Sequence, residues 1–186
     1  MNEKHPFEAF LPELSKILIL GSFPCGNQEV GYGKWFYCGS GRNDFWRLLS
    51  KVFNLPVDTK EEMEELCKKN RIAITDIAFE VNRKKGTCSD SNLEIILVNR
   101  KPIQNCLDLG IDCVYCTSKF VEKLFKDNFP DYTGKTTTLL SPSPTVNRFI
   151  GGLDEYKNLK QTKQLENPFD YKLLKYKEAF NKNDNR

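Results

Sequence analysis

The sequence predicts an α/β fold of three layers, in which helices cover both faces of a parallel sheet of about four strands. Short apolar runs that end at proline or glycine alternate along the chain with amphipathic segments of helical spacing. Strands separated by helices pair in parallel, because the intervening helix returns the chain to the same end of the sheet. The 186 residues fit one domain, which we expect to span residues 1–186, with a core at about 15–150 and C-terminal helices at 153–181 packed on it.

The first strand is predicted at Ser15 to Leu20, where a β-rich run lies between Pro12 and Gly21. A helix follows at Asp44 to Phe53, because its apolar residues recur at helical spacing, and Asn43 precedes it as the N-cap. These two elements enclose a long loop rich in glycine and aromatic residues. Ligands of open α/β sheets bind where strands end in such loops.

The next helix is predicted at Lys60 to Asn70, because Thr59 and Glu62 have the spacing of a capping box. Arg71 to Phe79 is the second predicted strand. Glu80 to Asn92 is polar and lacks periodicity, which indicates a loop. The remaining predicted elements are an apolar stretch of undecided type at Leu93 to Val98, helices at Pro102 to Leu109, Ser118 to Phe129, Leu153 to Thr162 and Pro168 to Asn181, and strands at Ile111 to Cys116 and Thr136 to Leu140.

The composition, with 39% hydrophobic and 28% charged residues, is typical of a globular protein in aqueous solution. The longest apolar runs fall far short of the ~20 residues that a membrane helix needs, so no membrane partner is expected. The first ten residues lack the basic start and apolar run of a signal peptide, which favours a cytoplasmic location. The net charge of +3 permits a polyanionic partner without requiring one, and we expect a monomer.

The seven cysteines are scattered and odd in number, which favours reduced thiols over a disulfide framework. Cys113 and Cys116 form a C-x-x-C, but residues three apart on a strand point to opposite faces, which favours core packing over a zinc or redox site. No metal and no cofactor is predicted. His5, the only histidine, lies in a proline-flanked terminal segment, where we expect an exposed side chain with no part in a hydrolytic triad.

The glycines after the first strand do not form a phosphate-binding loop. A P-loop ending at Gly33-Lys34 would need glycine at position 28 and Ser or Thr at position 35, where the chain has Gln28 and Trp35. The segment instead interleaves glycines with aromatic residues, which suits a pocket that stacks a flat ring and hydrogen-bonds its edge. An equally open interpretation is a hydrophobic lid in which Trp35 to Tyr37 pack on the sheet.

Five motifs occur in order along the chain, each at a predicted strand end or helix start. They are GSFP at Gly21 to Pro24, FY-x-G-x-x-RN-x-FWRLL at Phe36 to Leu49, TDI at Thr75 to Ile77, GTCSDS at Gly86 to Ser91 and SPSPTVN at Ser141 to Asn147. Together they resemble the uracil-DNA glycosylase superfamily, with the hypoxanthine-DNA glycosylase branch nearest and the mismatch-specific uracil or thymine glycosylases similar in two of the motifs. The resemblance covers Ile17 to Asn147 and implies an α/β/α sandwich.

The resemblance implies a monofunctional glycosylase of base-excision repair that acts on a deaminated base, uracil or hypoxanthine, flipped out of double- or single-stranded DNA. In better known branches an Asn or Asp immediately before the first-motif proline holds the attacking water, whereas Phe23 stands there in this chain. In the hypoxanthine branch the asparagine of the R-N-x-F-W motif is the proposed catalytic residue. That residue corresponds to Asn43, which we expect to orient the water, and N-capping does not exclude this role.

The resemblance also implies two further groups of site residues. The expected base pocket consists of Ser22, Phe23, Pro24, Phe36, Tyr37 and Asp76, with Tyr37 or Phe36 stacking on the base. The expected DNA contacts are Arg42, Arg83, Lys84, Lys85, Ser141, Ser143, Thr145, Asn147 and Arg148. Asp76 fits either a buried strand-end carboxylate or a helper to Asn43. Ser141 replaces the His or Asn that leads the second family motif, and Ser-Pro-Ser-Pro is equally compatible with plain turn chemistry.

Two alternatives remain open at this point. One is a catalytically silent module that binds nucleobases or DNA on the same fold, which salt-sensitive DNA binding without base release would favour. The other is a hydrolase of free nucleosides.

Overall fold

The computed structural model describes residues 2–26, 31–84 and 89–181 of this chain. It confirms the α/β fold and the parallel sheet of four strands. The strands are β1 Asn2–Lys4, β2 Ile17–Gly21, β3 Ile72–Asp76, β4 Ala78–Arg83, β5 Leu93–Val98, β6 Cys113–Cys116 and β7 Lys135–Thr138. The helices are α1 Phe45–Phe53, α2 Lys60–Lys69, α3 Arg100–Asp108, α4 Lys119–Asn128, α5 Asn147–Gly152, α6 Asp154–Gln161 and α7 Pro168–Asn181, with short 3-10 helices at Asp90–Asn92 and Pro144–Val146.

The four-stranded sheet is parallel and has the strand order β3-β2-β6-β7. Its register pairs Gly21 with Asp76 on one side of β2, and Leu20 with Cys116 on the other. The chain leaves β2 towards β3 and leaves β6 towards β7, so the direction of winding reverses between β2 and β6. Such a reversal opens a crevice at the carboxyl ends of the two strands.

Two buried clusters hold the layers together, one on each face of this sheet. Ile19 and Tyr115 lie in the cluster that the sheet forms with α1, α2 and α7. Leu18 and Val114, which directly precede Ile19 and Tyr115 on the same strands, lie in the cluster with α3 and α4. This alternation buries both faces, as expected for a parallel sheet between helices.

Local sequence signals place the helices. Thr59 and Glu62 form the predicted capping box at the start of α2. Ser118 accepts a hydrogen bond from the Val121 N–H and so caps α4. The start of α1 is fixed by Trp46, whose Nε1 donates to the Phe36 carbonyl over 2.7 Å. That bond ties α1 to the aromatic loop that precedes it.

A second sheet of three antiparallel strands, in the order β1-β4-β5, corrects the sequence analysis. Residues Glu80 to Arg83 were expected in a loop, whereas they continue β4. The apolar signal is short, because Ala78 and Val81 are buried in β4 while Phe79 is partly exposed. β1 is polar throughout and pairs with β4 through its backbone, so no hydrophobic pattern marks it.

The cysteines follow the predictions in part. Cys113 lies in the cluster with α1 and Cys116 in the cluster on the opposite face, so both pack in the core as expected. Five described cysteines are free thiols, but Cys25 is disulfide-bonded, and the expectation of reduced thiols is wrong there. Within the described ranges, none of the helices combines the length and the apolar character that crossing a membrane requires.

Candidate active site

The candidate active site lies at the carboxyl edge of β2, β3 and β6. Gly21 ends β2, Asp76 ends β3 beside it, and Thr117 follows β6. Thr117 is fixed to β2, because its backbone N–H donates to the Leu20 carbonyl over 3.0 Å. The site therefore occupies the crevice at which the direction of winding reverses.

Asp76 is a buried carboxylate of which only one oxygen has a hydrogen-bond partner among the described residues. Its Oδ2 lies 2.9 Å from His5 Nε2, and its side chain exposes 5% of its surface. Its Oδ1 accepts no hydrogen bond from the described residues. This oxygen is not among the fully buried atoms that lack a partner in the described residues, so a ligand or water can reach it and supply the donor.

His5 is the partner of Asp76, which corrects the expectation of an exposed terminal histidine. Its side chain exposes only 1% of its surface. The imidazole packs against Phe7, Phe23 and Phe36, with ring centroids 5.6 to 5.9 Å apart. The backbone N–H of His5 donates to the Phe79 carbonyl over 2.7 Å, so the residue is anchored to the antiparallel sheet and reaches across to the parallel one.

Tyr37 lies over the same strand end. Its ring stacks on Phe45, with centroids 4.0 Å apart and planes 27° from parallel. Its hydroxyl donates a long hydrogen bond of 3.5 Å to Thr117 Oγ1. Burial, and next the nearby Asp76 carboxylate, raise the pKa of Tyr37 well above 10, so the phenol stays neutral. Tyr37 also has a positive φ of 60°, a strained backbone conformation that tends to cluster at functional sites.

Gly21 provides the space that these two side chains occupy. A Cβ at this position would lie 2.0 Å from Asp76 Oδ1 and 2.4 Å from the Tyr37 hydroxyl oxygen. Both oxygens therefore occupy the volume directly above the Gly21 backbone. A residue with a side chain at this position would displace them.

Asn43 lies at the end of the aromatic loop, immediately before α1. Its Oδ1 accepts from the Phe45 backbone N–H over 2.9 Å. The N-cap of α1 is Asp44, without a side-chain capping bond, so the prediction of Asn43 as the N-cap is wrong by one residue. The Asn43 Nδ2 makes no hydrogen bond to the described residues. The carboxamide is thus fixed through its oxygen and keeps two N–H donors for a ligand or water.

A buried lysine joins this loop to the loop at Ser141 to Asn147. Lys172 of α7 exposes none of its side chain and donates to Asp44 Oδ2 over 2.9 Å. It also donates to the carbonyls of Pro142 and Ser143, over 3.4 and 3.0 Å. The Asp44 N–H in turn donates to the Pro142 carbonyl over 3.0 Å. The two predicted site loops are therefore held side by side.

The second loop is arranged by its own hydroxyl groups. Ser141 Oγ accepts from the Ser143 N–H, and Ser143 Oγ accepts from the Thr145 N–H, each over 3.3 Å. Thr145 and Arg148 are exposed, as is Arg42 in the first loop. Asn147 Oδ1 is buried without a hydrogen-bond partner among the described residues.

Five predicted pocket residues besides Asp76 lie around the end of β2. Phe36 is fully buried, which leaves Tyr37 as the partly exposed aromatic residue of the pair. Phe23 is 8% exposed and packs with Ala78 and Val81 of the second sheet. Ser22 is partly exposed and Pro24 is buried, and their carbonyls accept from Ala78 N–H and from Arg83.

Arg83 departs from the predicted phosphate contact. Its guanidinium donates to both carboxylate oxygens of Glu3, over 2.9 and 3.3 Å, with side-chain exposures of 6% and 10%. A buried bidentate ion pair holds β4 against β1 and leaves this guanidinium unavailable to DNA. Lys84 is exposed, and Lys85 lies outside the described residues.

A broad cavity of about 1520 Å³ lies at the opposite edge of the parallel sheet, around Lys16, Asp112 and Lys135. None of the predicted site residues lines it. In the part of the chain that the structure describes, no group of three or more His, Cys, Asp or Glu side chains could hold a metal ion.

Sequence reasoning missed two residues of the site, His5 and Lys172. Nothing local to His5 marks its contact with Asp76. Lys172 carries one signal, because it lies between Phe169 and Tyr176 at helical spacing, and a lysine within an apolar stripe indicates a buried ion pair.

Comparison with known proteins gives similarity to DNA glycosylases. No protein-family model matches the chain. It is 34% identical over 86 residues to a hypoxanthine DNA glycosylase of Methanosarcina barkeri, and 36% identical over 86 residues to that of Methanosarcina acetivorans. Each match covers 45% of this chain and 52% of the relative, so the match spans about half the length of these curated relatives.

A solved structure matches more of the chain. It is the solution structure of a Methanosarcina acetivorans protein provisionally described as a uracil-DNA glycosylase, with a TM-score of 0.64 and 23% sequence identity. The match covers 92% of this chain and 99% of that one. At this identity the likeness establishes the fold.

Proposed function

We propose that this chain, which belongs to the uracil-DNA glycosylase superfamily and is similar in sequence to its hypoxanthine-DNA glycosylase branch, is a monofunctional DNA glycosylase. Its substrate would be a deaminated base, uracil or hypoxanthine, flipped out of DNA. The modest and partial sequence identity supports the type of activity and leaves the choice of base to experiment.

One observation carries this proposal. The loop that ends in Asn43 and the loop at Ser141 to Asn147 lie side by side, joined by Asp44 and Lys172. The first loop offers the free amide donors of Asn43 and the aromatic ring of Tyr37, both of which contact Phe45, while the second offers exposed polar groups. A site that must hold a flat base and grip the DNA next to it requires both functions at one edge.

The reaction needs positioning and charge stabilisation more than strong acids or bases. The C1′–N bond breaks and its electron pair leaves with the base, while a water oxygen forms the new bond to C1′. One proton of the water is released, and the departing base gains a proton. In our proposal the Asn43 Nδ2 donors hold the oxygen of this water, and the Tyr37 ring provides the surface for the base.

The DNA would lie along the exposed face of both loops. Arg42, Arg148 and Lys84 are exposed and cationic, and Thr145 is exposed beside Ser143, so they can reach phosphate oxygens. Ser141 and Asn147 would act from within the second loop. The expectations of a single domain, a monomer and a cytoplasmic location stay predictions.

Variants of Asn43 test the proposal. The assay incubates duplexes that carry uracil, hypoxanthine or xanthine with the protein, then cleaves abasic sites with alkali. We expect Asn43→Ala to lower single-turnover excision by at least about 100-fold, comparable to the loss of one oriented donor in other hydrolytic sites. Asn43→Asp keeps an oxygen for the Phe45 N–H and removes the amide donors, so it separates capping from catalysis.

The results have distinct meanings. If Asn43→Asp is as inactive as Asn43→Ala, the amide donors are required and the assignment holds. Undiminished excision by both variants would overturn the role of Asn43. If the wild-type protein releases none of the three bases but binds DNA in a salt-sensitive way, the chain is the silent binding module instead. Release of base from free nucleosides alone would identify a nucleoside hydrolase.

A further inference from the structure

One oxygen of Asp76 is held by His5, and the other lies over Gly21 without a donor among the described residues. We propose that His5 is a positioning residue, which fixes Asp76 so that its free Oδ1 accepts the ring N–H of a deaminated base. This inference rests on the proposed glycosylase function, and it names the feature by which the site selects its substrate.

The imidazole can hold the carboxylate in one orientation only. His5 Nδ1 lies 2.7 Å from the Phe7 carbonyl oxygen, and it accepts a hydrogen bond from the Phe7 backbone N–H over 3.2 Å. These contacts fix the plane of the ring, and with Nδ1 as an acceptor the Nε2–H donates to Asp76 Oδ2 over 2.9 Å. Phe7, Phe23 and Phe36 surround the ring and leave it no second position.

The free oxygen is aimed at the site. A Cβ on Gly21 would lie 2.0 Å from Asp76 Oδ1 and 2.4 Å from the Tyr37 hydroxyl, so the acceptor lies in the space beside the Tyr37 hydroxyl. Tyr37 itself donates to Thr117. The carboxylate therefore keeps its lone pairs for a donor that enters with the ligand.

Deamination supplies that donor. When the amino group of adenine or cytosine is replaced by oxygen, the adjacent ring nitrogen changes from an acceptor to an N–H donor. An ionised carboxylate accepts and cannot donate, so it binds N1–H of hypoxanthine or N3–H of uracil and repels the lone pairs of adenine N1 and cytosine N3. The same contact can form with a purine or a pyrimidine, because hypoxanthine and uracil both carry a ring N–H next to a carbonyl group. The contact therefore selects for this lactam group.

The test compares hypoxanthine with 1-deazahypoxanthine, in which C–H replaces N1–H without added bulk. Single-turnover excision of both bases from the same duplex is measured for wild type, His5→Phe and His5→Gln. Asp112→Asn, at the opposite edge of the sheet, is the matched control. For an enzyme that excises only uracil, 3-deazauracil is the matching analogue. The ratio of the two rates is the readout, because loss of folded protein lowers both rates equally.

We expect the ratio to fall at least about tenfold in His5→Phe, since the hydrogen bond to a fixed charged acceptor is lost. His5→Gln offers an N–H to Oδ2 and is expected to restore the ratio to within about threefold of wild type. Asp112→Asn is expected to leave it unchanged. The ratio of each variant is compared with the ratio of the wild-type protein. This comparison cancels the intrinsic difference in reactivity between hypoxanthine and 1-deazahypoxanthine as leaving groups.

Asp76→Asn covers the case in which His5→Phe does not fold. In this variant the ratio of the two excision rates falls whether the amide oxygen or the amide nitrogen faces the base. A neutral carbonyl accepts more weakly than a carboxylate, and an NH2 group does not accept. A wild-type ratio in whichever of these variants folds overturns the inference while the glycosylase function stands. A wild-type protein that excises neither hypoxanthine nor uracil overturns the function as well.

Discussion

His5 Nε2 lies 2.9 Å from Asp76 Oδ2, and this buried contact joins residues that are 71 positions apart in the chain. It connects the segment after β1, in the antiparallel sheet, to the end of β3 in the parallel sheet. The pair thus adds a side-chain contact between the two sheets at the site. Removal of this contact should affect both the stability of the fold and the selectivity of the site between bases.

For stability, we expect His5→Leu to lower the free energy of unfolding by about 3 kcal/mol, because it leaves a buried carboxylate without its partner. Urea denaturation measures the change. The double variant His5→Leu/Asp76→Leu removes both polar groups and should recover most of the loss. A single variant as stable as wild type would show that the pair contributes nothing to stability.

Gly21→Ala should abolish excision and destabilise the fold, because its Cβ would lie 2.0 Å from Asp76 Oδ1 and 2.4 Å from the Tyr37 hydroxyl. We expect at least a 100-fold loss in single-turnover rate, of about the size produced by small displacements of reacting groups in other enzymes. Gly151→Ala is the control, since its Cβ meets nothing within 4 Å. Equal activity of both variants would contradict a site at the end of β2.

Lys172→Met should destabilise the chain by about 3 kcal/mol, because it removes a fully buried cation and leaves Asp44, among the described residues, with only the exposed Arg47 as an ion-pair partner. Excision should fall as well, since the two site loops lose their shared contact. Lys175→Met, on the same helix, breaks a more exposed ion pair with Glu155 and should cost about 1 kcal/mol or less. Thermal denaturation and the excision assay together check this. Similar losses in the two variants would argue against a special role for Lys172.

Acid should weaken the antiparallel sheet through Glu3. Burial opposes its ionisation, but hydrogen bonds from Arg83 and Tyr32 outweigh burial and hold the pKa of the Glu3 carboxyl below its ordinary value of 4.5. A carboxyl with a lowered folded-state pKa contributes stability that is complete above the unfolded value of 4.5 and is lost as the pH falls through the folded value.

We therefore expect the free energy of unfolding to fall as the pH drops below about 4.5, and to fall less steeply in Glu3→Gln. Urea midpoints measured between pH 7 and pH 3 give both slopes. Glu61→Gln, at an exposed position of α2, serves as the control and should keep the wild-type slope. Identical slopes in all three proteins would exclude Glu3 as a source of the acid sensitivity.

The parallel sheet was predictable because three of its strands, β2, β3 and β6, are mainly apolar and buried, and α2 because Thr59 and Glu62 form a local capping box. The antiparallel sheet was not, since β1 depends on backbone pairing and on one ion pair between Glu3 and Arg83. Periodicity detects buried apolar faces, and polar strands held by distant partners leave no such trace.

The residues of the candidate site were likewise predictable only in part. Asn43 and Asp76 were predicted because they stand where a helix begins and a strand ends, which local sequence indicates. Their supports, Lys172 and His5, act over 128 and 71 residues of chain. Polar contacts over such separations depend on the tertiary fold, and a single sequence does not encode them as a pattern. The same reasoning misassigned Arg83, whose partner Glu3 lies on a strand that was not predicted.

The position of Lys172 has a consequence for biosynthesis. A nascent chain that has left the ribosome only as far as Asn147 already contains both loops of the site, but not the cation that joins Asp44 to the Ser143 carbonyl. Before α7 is translated, the bond from the Asp44 N–H to the Pro142 carbonyl can join the two loops, but the contacts of Lys172 with both loops cannot form. Synthesis of α7 would thus be the step that completes the candidate site.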